Sequence, residues 1–214
     1  MPNNAFLWDM DGTLVDSYPA IVPVAQQICA EEGLHYSADY LHAYVIRSSV
    51  GALLEQIASE LGRDPAPIKA RFNALNDQRI DAIRPMPHAA ETLAALVAAG
   101  HRNFVYTHRG ASCPAILAHT GLAPYFTEVL TALSGFPRKP RPEALLYLME
   151  KHGLDPARCF YVGDRSLDVE AAENAGIGSI LLLDPESPTR PTGRESFLIR
   201  DLAEIPALFP PDRL

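Results

Sequence analysis

Two textures of apolar spacing divide the chain. Ala5 to Trp8 is a short apolar run that stops at Asp9 and is followed by a Gly-Thr turn, the pattern of a buried strand ending abruptly. Asp16 and Ser17 then stand before Pro19 and a helical stretch to about Glu32, with either residue as N-cap and the proline in the first turn. From there to about Arg84 the spacing is helical throughout. Within Val50 to Leu61, for example, Leu53, Leu54, Ile57, Ala58 and Leu61 recur at helical intervals. Residues 17–84 are therefore expected to form a small all-helical insertion.

Pro85 and Pro87 punctuate the return, and the texture changes to alternation. Helices are expected at about Ala89 to Ala99, Ser112 to Thr120, Pro142 to His152 and Leu167 to Ala175. Strands are expected at Phe104 to Tyr106, Glu128 to Thr131, Phe160 to Val162, Ser179 to Leu183 and Phe197 to Ile199. Such a series predicts an α/β fold, a parallel sheet covered by helices on both faces, built from 1–16 and 85–214 with the helical insertion after its first strand.

Composition narrows the functional classes. The 214 residues are 48% hydrophobic and 21% charged, apolar enough to pack and too weakly charged for disorder. A formal charge of -8 argues against a nucleic-acid groove or an anionic membrane surface as partner, since both call for a basic face. No apolar run approaches the roughly 18 residues that cross a bilayer, and the start MPNNAFLWDM lacks the layout of a signal peptide, so a cytoplasmic protein is expected. Cys29, Cys113 and Cys159 are too widely spaced for a metal knuckle or a disulfide framework. With only three lysines in the chain, the position of each carries information.

Parallel sheets present ligand groups at the carboxyl ends of their strands. After the first strand come Asp9 and Asp11 on alternate residues, with Gly12 allowing close backbone approach. After the second come Thr107, His108, Arg109 and Gly110 leading into a helix, an expected phosphate seat of hydroxyl and free N–H groups. After the third is a basic, proline-stiffened loop containing Lys139, and after the fourth are Asp164 and Asp168 on one face of a helix start. Carboxylates gathered on one edge repel, by about 4 kcal/mol for two charges 4 Å apart at an effective dielectric near 20. A divalent cation resolves that repulsion, and an oxygen-only donor set suits Mg²⁺.

These residues, DMDGT, Thr107, Lys139 and GDRSLD in that order, resemble the four motifs of the haloacid dehalogenase superfamily of phosphohydrolases across nearly the whole chain. The helical insertion looks like that superfamily's small C1 cap, and RKPRPE is similar to the third motif of its phosphoglycolate phosphatase-like branch. The resemblance implies a Rossmann-like core and a Mg²⁺-dependent phosphatase acting on a small phosphorylated metabolite. Asp9 would be the nucleophile that forms an aspartyl-phosphate, and Asp11 the general acid and base. Thr107 and the N–H of His108 would hold the phosphoryl oxygens, and Lys139 would neutralise their charge. Asp9, the Asp11 carbonyl and Asp164 would hold the metal, supported by Asp168. Gly12 and His108 are expected to line the phosphate site, while Arg109 and the cap residue Arg47 are candidates for the rest of the substrate.

Taken singly, each residue has a plainer reading: Asp9 and Asp11 as turn residues, Thr107 as a cap, Lys139 as a solvated lysine, Asp168 as an acid favoured by the helix dipole. Their joint order carries the functional reading. A sugar phosphomutase of the same branch is the alternative enzyme, disfavoured by Ile21 where such relatives commonly carry His; a non-catalytic phosphate- or metal-binding module is the other alternative, disfavoured by the intact Asp11.

Overall fold

All four residues of Ala5–Trp8 (β1) are buried, as a strand covered on both faces requires. In the computed structural model, which describes residues 3–183 and 189–210, β1 lies at the centre of a six-stranded sheet. The remaining strands, in chain order, are Val15–Asp16 (β2), Arg84–Pro85 (β3), Arg102–Tyr106 (β4), Glu128–Leu130 (β5), Cys159–Gly163 (β6), Gly178–Leu182 (β7) and Phe197–Ile199 (β8). The sheet order is β5-β4-β1-β6-β7-β8 with every pair parallel, and β2 and β3 form a separate two-stranded ribbon. The α/β expectation is met.

The chain separates into two compact units, Ser17–Arg84 and the described residues on either side of it. The first is all-helical: Tyr18–Glu31 (α1), Ala38–Arg47 (α2), Val50–Glu60 (α3) and Pro65–Asn76 (α4), followed by a 3-10 turn. Local chemistry sets these boundaries. Ser37, Ser49 and Asp64 each accept a first-turn N–H, from Tyr40, Ala52 and Ala66. Ser17 stands at the N-cap of α1, but its side chain caps nothing. Ile28, Leu41, Leu53, Ile57 and Phe72 are among the residues that build a core of this unit's own.

In the other unit Ala89–Ala98 (α5), Cys113–His119 (α6), Glu143–His152 (α7), Ser166–Ala175 (α8) and Ile205–Leu208 (α9) flank the sheet. β4 begins two residues earlier than its apolar run suggests, because Arg102 pairs with Ala5 and its guanidinium reaches the His152 carbonyl and ring. Trp8, the single tryptophan, is fully buried and donates its indole N–H to Asn103 Oδ1 at 3.0 Å. Among the described residues no helix is long and apolar enough to cross a membrane.

Topology places the chemistry. The chain runs from β1 outward through β4 to β5, then returns to the other side of β1 for β6, β7 and β8. The carboxyl end of β1 is thus the point where strand order reverses, where open α/β sheets leave a crevice for ligands.

Candidate active site

Asp9 follows β1 directly, its N–H donating to the Val162 carbonyl at 2.8 Å, so the nucleophile candidate is held between β1 and β6. Beyond it the chain turns tightly. Met10 accepts from Leu14 and Val15, and Gly12 takes a φ of 82°, a conformation that disfavours any side chain.

Lys139 is the hub of the buried charge. Its Nζ lies 2.9 Å from Asp9 Oδ1 and donates to Asp168 Oδ1 at 2.7 Å, and its side chain has no exposure. Two tyrosine rings enclose it, with centroids 5.8 Å (Tyr106) and 5.3 Å (Tyr161) from Nζ. The rings are themselves fixed, the Tyr106 hydroxyl on the Pro137 carbonyl and the Tyr161 hydroxyl on the Tyr106 carbonyl. Asp168 is bound on both oxygens, since Oδ2 accepts the Arg165 N–H at 3.1 Å. That contact explains Gly163: a Cβ there would lie 2.4 Å or less from the Asp168 carboxyl group.

Arg165 is a residue that sequence reasoning passed over. Its Nη2 lies 3.5 Å from Asp9 Oδ2, and its side chain is only 15% exposed. Its place in GDRSLD, between two acidic positions, is the signal that could have found it. Burial pushes the Asp9 carboxyl up, but Lys139 and Arg165 beside it outweigh that and hold it below the usual carboxylate range. Asp164 goes the other way. Burial, with Asp168 and Asp9 close by and against the pull of Arg165, pushes it up to about 7, although Thr13 donates to its Oδ1 at 3.1 Å. Burial likewise raises Asp168 in spite of Lys139.

One carboxylate oxygen from each of Asp9, Asp164 and Asp168 lies within 4.8 Å of the others. Asp9 Oδ2 is buried and accepts no hydrogen bond among the described residues. A buried oxygen that accepts no hydrogen bond, beside an Asp164 carboxyl group that burial and two neighbouring carboxylates push up, fits a hard divalent cation. Asp9 and Asp164 have the freer oxygens; Asp168 is committed to Lys139 and Arg165.

The remaining predicted residues are placed as follows. Thr107 is buried at the end of β4, its Oγ1 accepting the Arg109 N–H at 3.1 Å. The His108 ring accepts the Lys139 N–H on Nε2 at 2.8 Å, which leaves its proton on Nδ1. Burial and the cations Lys139, Arg138 and Arg165 push this imidazole down to about 2, so it stays neutral. Arg109 reaches Asp11 with three hydrogen bonds. The Asp11 carboxylate is therefore not part of the cluster of three. Arg47 is exposed in the last turn of α2, within the helical unit.

Comparisons with known proteins place the chain among relatives. The sequence profile of the haloacid dehalogenase-like hydrolases matches residues 6–182. A phosphoglycolate phosphatase of Vibrio parahaemolyticus is 35% identical over 188 residues, 80% of each chain. A fructose-1-phosphate phosphatase of Escherichia coli is 28% identical over 182 residues, covering 81% of this chain and 93% of that one. The crystal structure of a predicted phosphoglycolate phosphatase from Haemophilus somnus superposes with a TM-score of 0.86 at 23% identity, over 97% of this chain and 98% of that one. With the profile spanning most of its length and the four motif segments gathered on one sheet edge, this chain belongs to the haloacid dehalogenase-like hydrolase family.

Proposed function

We propose that the protein is a Mg²⁺-dependent phosphatase that hydrolyses a small-molecule phosphomonoester through an aspartyl-phosphate on Asp9. The observation that carries this reading is a buried carboxylate kept ionised by Lys139 and Arg165, with oxygens of Asp164 and Asp168 close enough to share a cation with it. An ionised carboxylate in a water-poor site is a competent nucleophile toward phosphorus.

In this reading one Asp9 oxygen attacks the phosphorus, the bond to the ester oxygen breaks, and its electron pair leaves with that oxygen. Asp11, protonated before the attack, gives its proton to the leaving oxygen and is left as the carboxylate that meets Arg109. Asp11 then takes a proton from the water that attacks the phosphorus and releases Asp9. Lys139, fixed by its two rings and by Asp168, meets the negative charge of the phosphoryl oxygens without reorganising. The Thr107 hydroxyl and the His108 N–H donate to the same oxygens. Asp9, Asp164 and the Asp11 carbonyl would hold Mg²⁺, which when bound supplies charge neutralisation at the transferring group.

The helical unit Ser17–Arg84 is read as the C1 cap, with Arg47 a candidate contact for the non-phosphate end of the substrate. Phosphoglycolate and fructose 1-phosphate enter as candidate substrates through the named relatives. The test is phosphate release from a panel of small phosphomonoesters containing both, with Mg²⁺ and with chelator, beside the Asp9→Asn variant. Metal-dependent release from one preferred compound, lowered at least about 10⁴-fold in Asp9→Asn with unchanged circular dichroism, is the expected outcome. Phosphate transfer back to a sugar would identify a mutase, and labelling of Asp9 without turnover a binding module; either result refutes the proposal.

A further inference from the structure

The guanidinium of Arg109 is turned toward the protein's own carboxylate. Nε donates to both Asp11 oxygens at 3.0 Å and Nη2 to Oδ1 at 2.6 Å, a forked contact on a side chain only 6% exposed. The backbone behind the fork is pinned. The Arg109 N–H donates to Thr107 Oγ1 at 3.1 Å, and its carbonyl accepts from Ala132 at 3.0 Å, beyond the end of β5. Arg109 is thus an arm fixed at the ends of β4 and β5 that reaches the turn after β1.

Asp11 depends on that arm. Among the described residues its carboxylate accepts side-chain hydrogen bonds only from Arg109, and its own side chain is 27% exposed. A short, partly exposed aspartate without such a partner samples several staggered rotamers. A planar fork meeting a carboxylate edge selects one of them, which the point charge of a lysine would do less well.

We propose that Arg109 is a positioning residue for Asp11, fixing the direction its carboxyl group faces, and not a ligand for the substrate. The inference rests on the phosphatase reading, in which Asp11 moves the proton. Proton transfer requires heavy atoms within about 2.6–3.2 Å, and a misplacement near 1 Å costs on the order of 10²-fold. His108, the other residue after Thr107, makes a comparable contact with the Lys139 backbone. The side chains of the two residues after Thr107 are thus both engaged with the protein's own groups.

A double-mutant cycle with Asp11 tests this, using steady-state turnover of an alkyl phosphate and rapid-quench phosphorylation of Asp9. Arg109→Ala should lower kcat about 10²-fold with KM nearly unchanged, and Arg109→Lys should recover only part of the loss. In the Asp11→Asn background the Arg109→Ala change should cost almost nothing further, because it acts through the missing group. The loss in Asp9 phosphorylation should be large for an alkyl phosphate and small for 4-nitrophenyl phosphate, whose leaving group departs without a proton. Additive losses in the cycle, or a raised KM with kcat preserved, would overturn the proposal. Normal turnover by Asp11→Asn would instead overturn the acid–base reading on which it rests. Arg109→Gln repeats the cycle if the alanine variant does not fold.

Discussion

The two ends of the sheet each gather charged side chains, in different surroundings. At the amino end Glu128 opens β5, beside Lys151 and His152 from the end of α7, and His152 also meets Arg102 at the start of β4. Glu128 remains 18% exposed there and Lys151 47% exposed. At the carboxyl end Asp9, Asp168 and Lys139 are 3% exposed or less. Solvent reaches every member of the first cluster, Lys151 most of all, and almost nothing of Asp9, Asp168 and Lys139 in the second. The contrast teaches that charge in this fold becomes chemically consequential where burial denies it water, and each expectation below is a way to break or sharpen it.

The largest effect is expected at the buried hub. Lys139→Met leaves Asp9 and Asp168 without their shared cation, a change that costs about 3–5 kcal/mol when one partner of a buried pair is removed. Denaturant unfolding measures that loss, and phosphate release should fall about 10²–10³-fold with it. A stable, active Lys139→Met protein would mean the cluster is not cooperative.

Metal and pH give the next effect. Asp164, pushed up to about 7 in the folded chain mainly by burial, lies above its unfolded value near 3.9. The metal-free folded chain therefore holds a proton that the unfolded chain has lost between about pH 4 and 7, and the Asp164 contribution to stability falls as pH rises across that window. In chelator the melting temperature should drop from pH 5 to pH 8, and Asp164→Asn should flatten the drop. A fixed Mg²⁺ concentration, 100 times the dissociation constant at pH 8, should restore about 2.7 kcal/mol there and less at pH 5, because the proton competes for the same oxygen. A Mg²⁺ response independent of pH would remove Asp164 from the metal site.

The smallest effect belongs to the amino end. Glu128→Gln should change stability by about 1 kcal/mol, less than Lys139→Met does, and leave turnover unchanged, since its pair with Lys151 reaches solvent and only the His152 contact is part-buried. A loss as large as that of Lys139→Met would erase the distinction between the two ends.

The architecture was legible because parallel strands write a plain signal. Runs such as Phe104 to Tyr106 and Phe160 to Val162 end at the residues that turn out of the sheet, and hydrophobic pattern alone marks those points. The gathering of Asp9, Thr107, Lys139, Asp164 and Asp168 at one edge follows from strand order. What pattern cannot encode is where a side chain goes after it leaves the backbone. Arg109 and Asp11 stand 98 positions apart, and their fork depends on a turn after β1 and a carbonyl contact beyond β5. Arg165, which reads from sequence as an ordinary residue before a helix, joins the buried charges only because α8 begins just past the end of β6, the strand paired with β1. Asp168 presents the opposite ambiguity: its first-turn position is explained by the helix dipole, yet its two oxygens are taken by Lys139 and Arg165.

Trp8 has a practical consequence. The helical unit contains no tryptophan, and the chain's one indole is sealed inside the sheet immediately before Asp9. Intrinsic emission excited in the indole band is consequently a private optical channel to the α/β unit. Far-ultraviolet dichroism sees the helices of both units. Following the two signals through a single denaturation separates the melting of one unit from that of the other, with no label introduced.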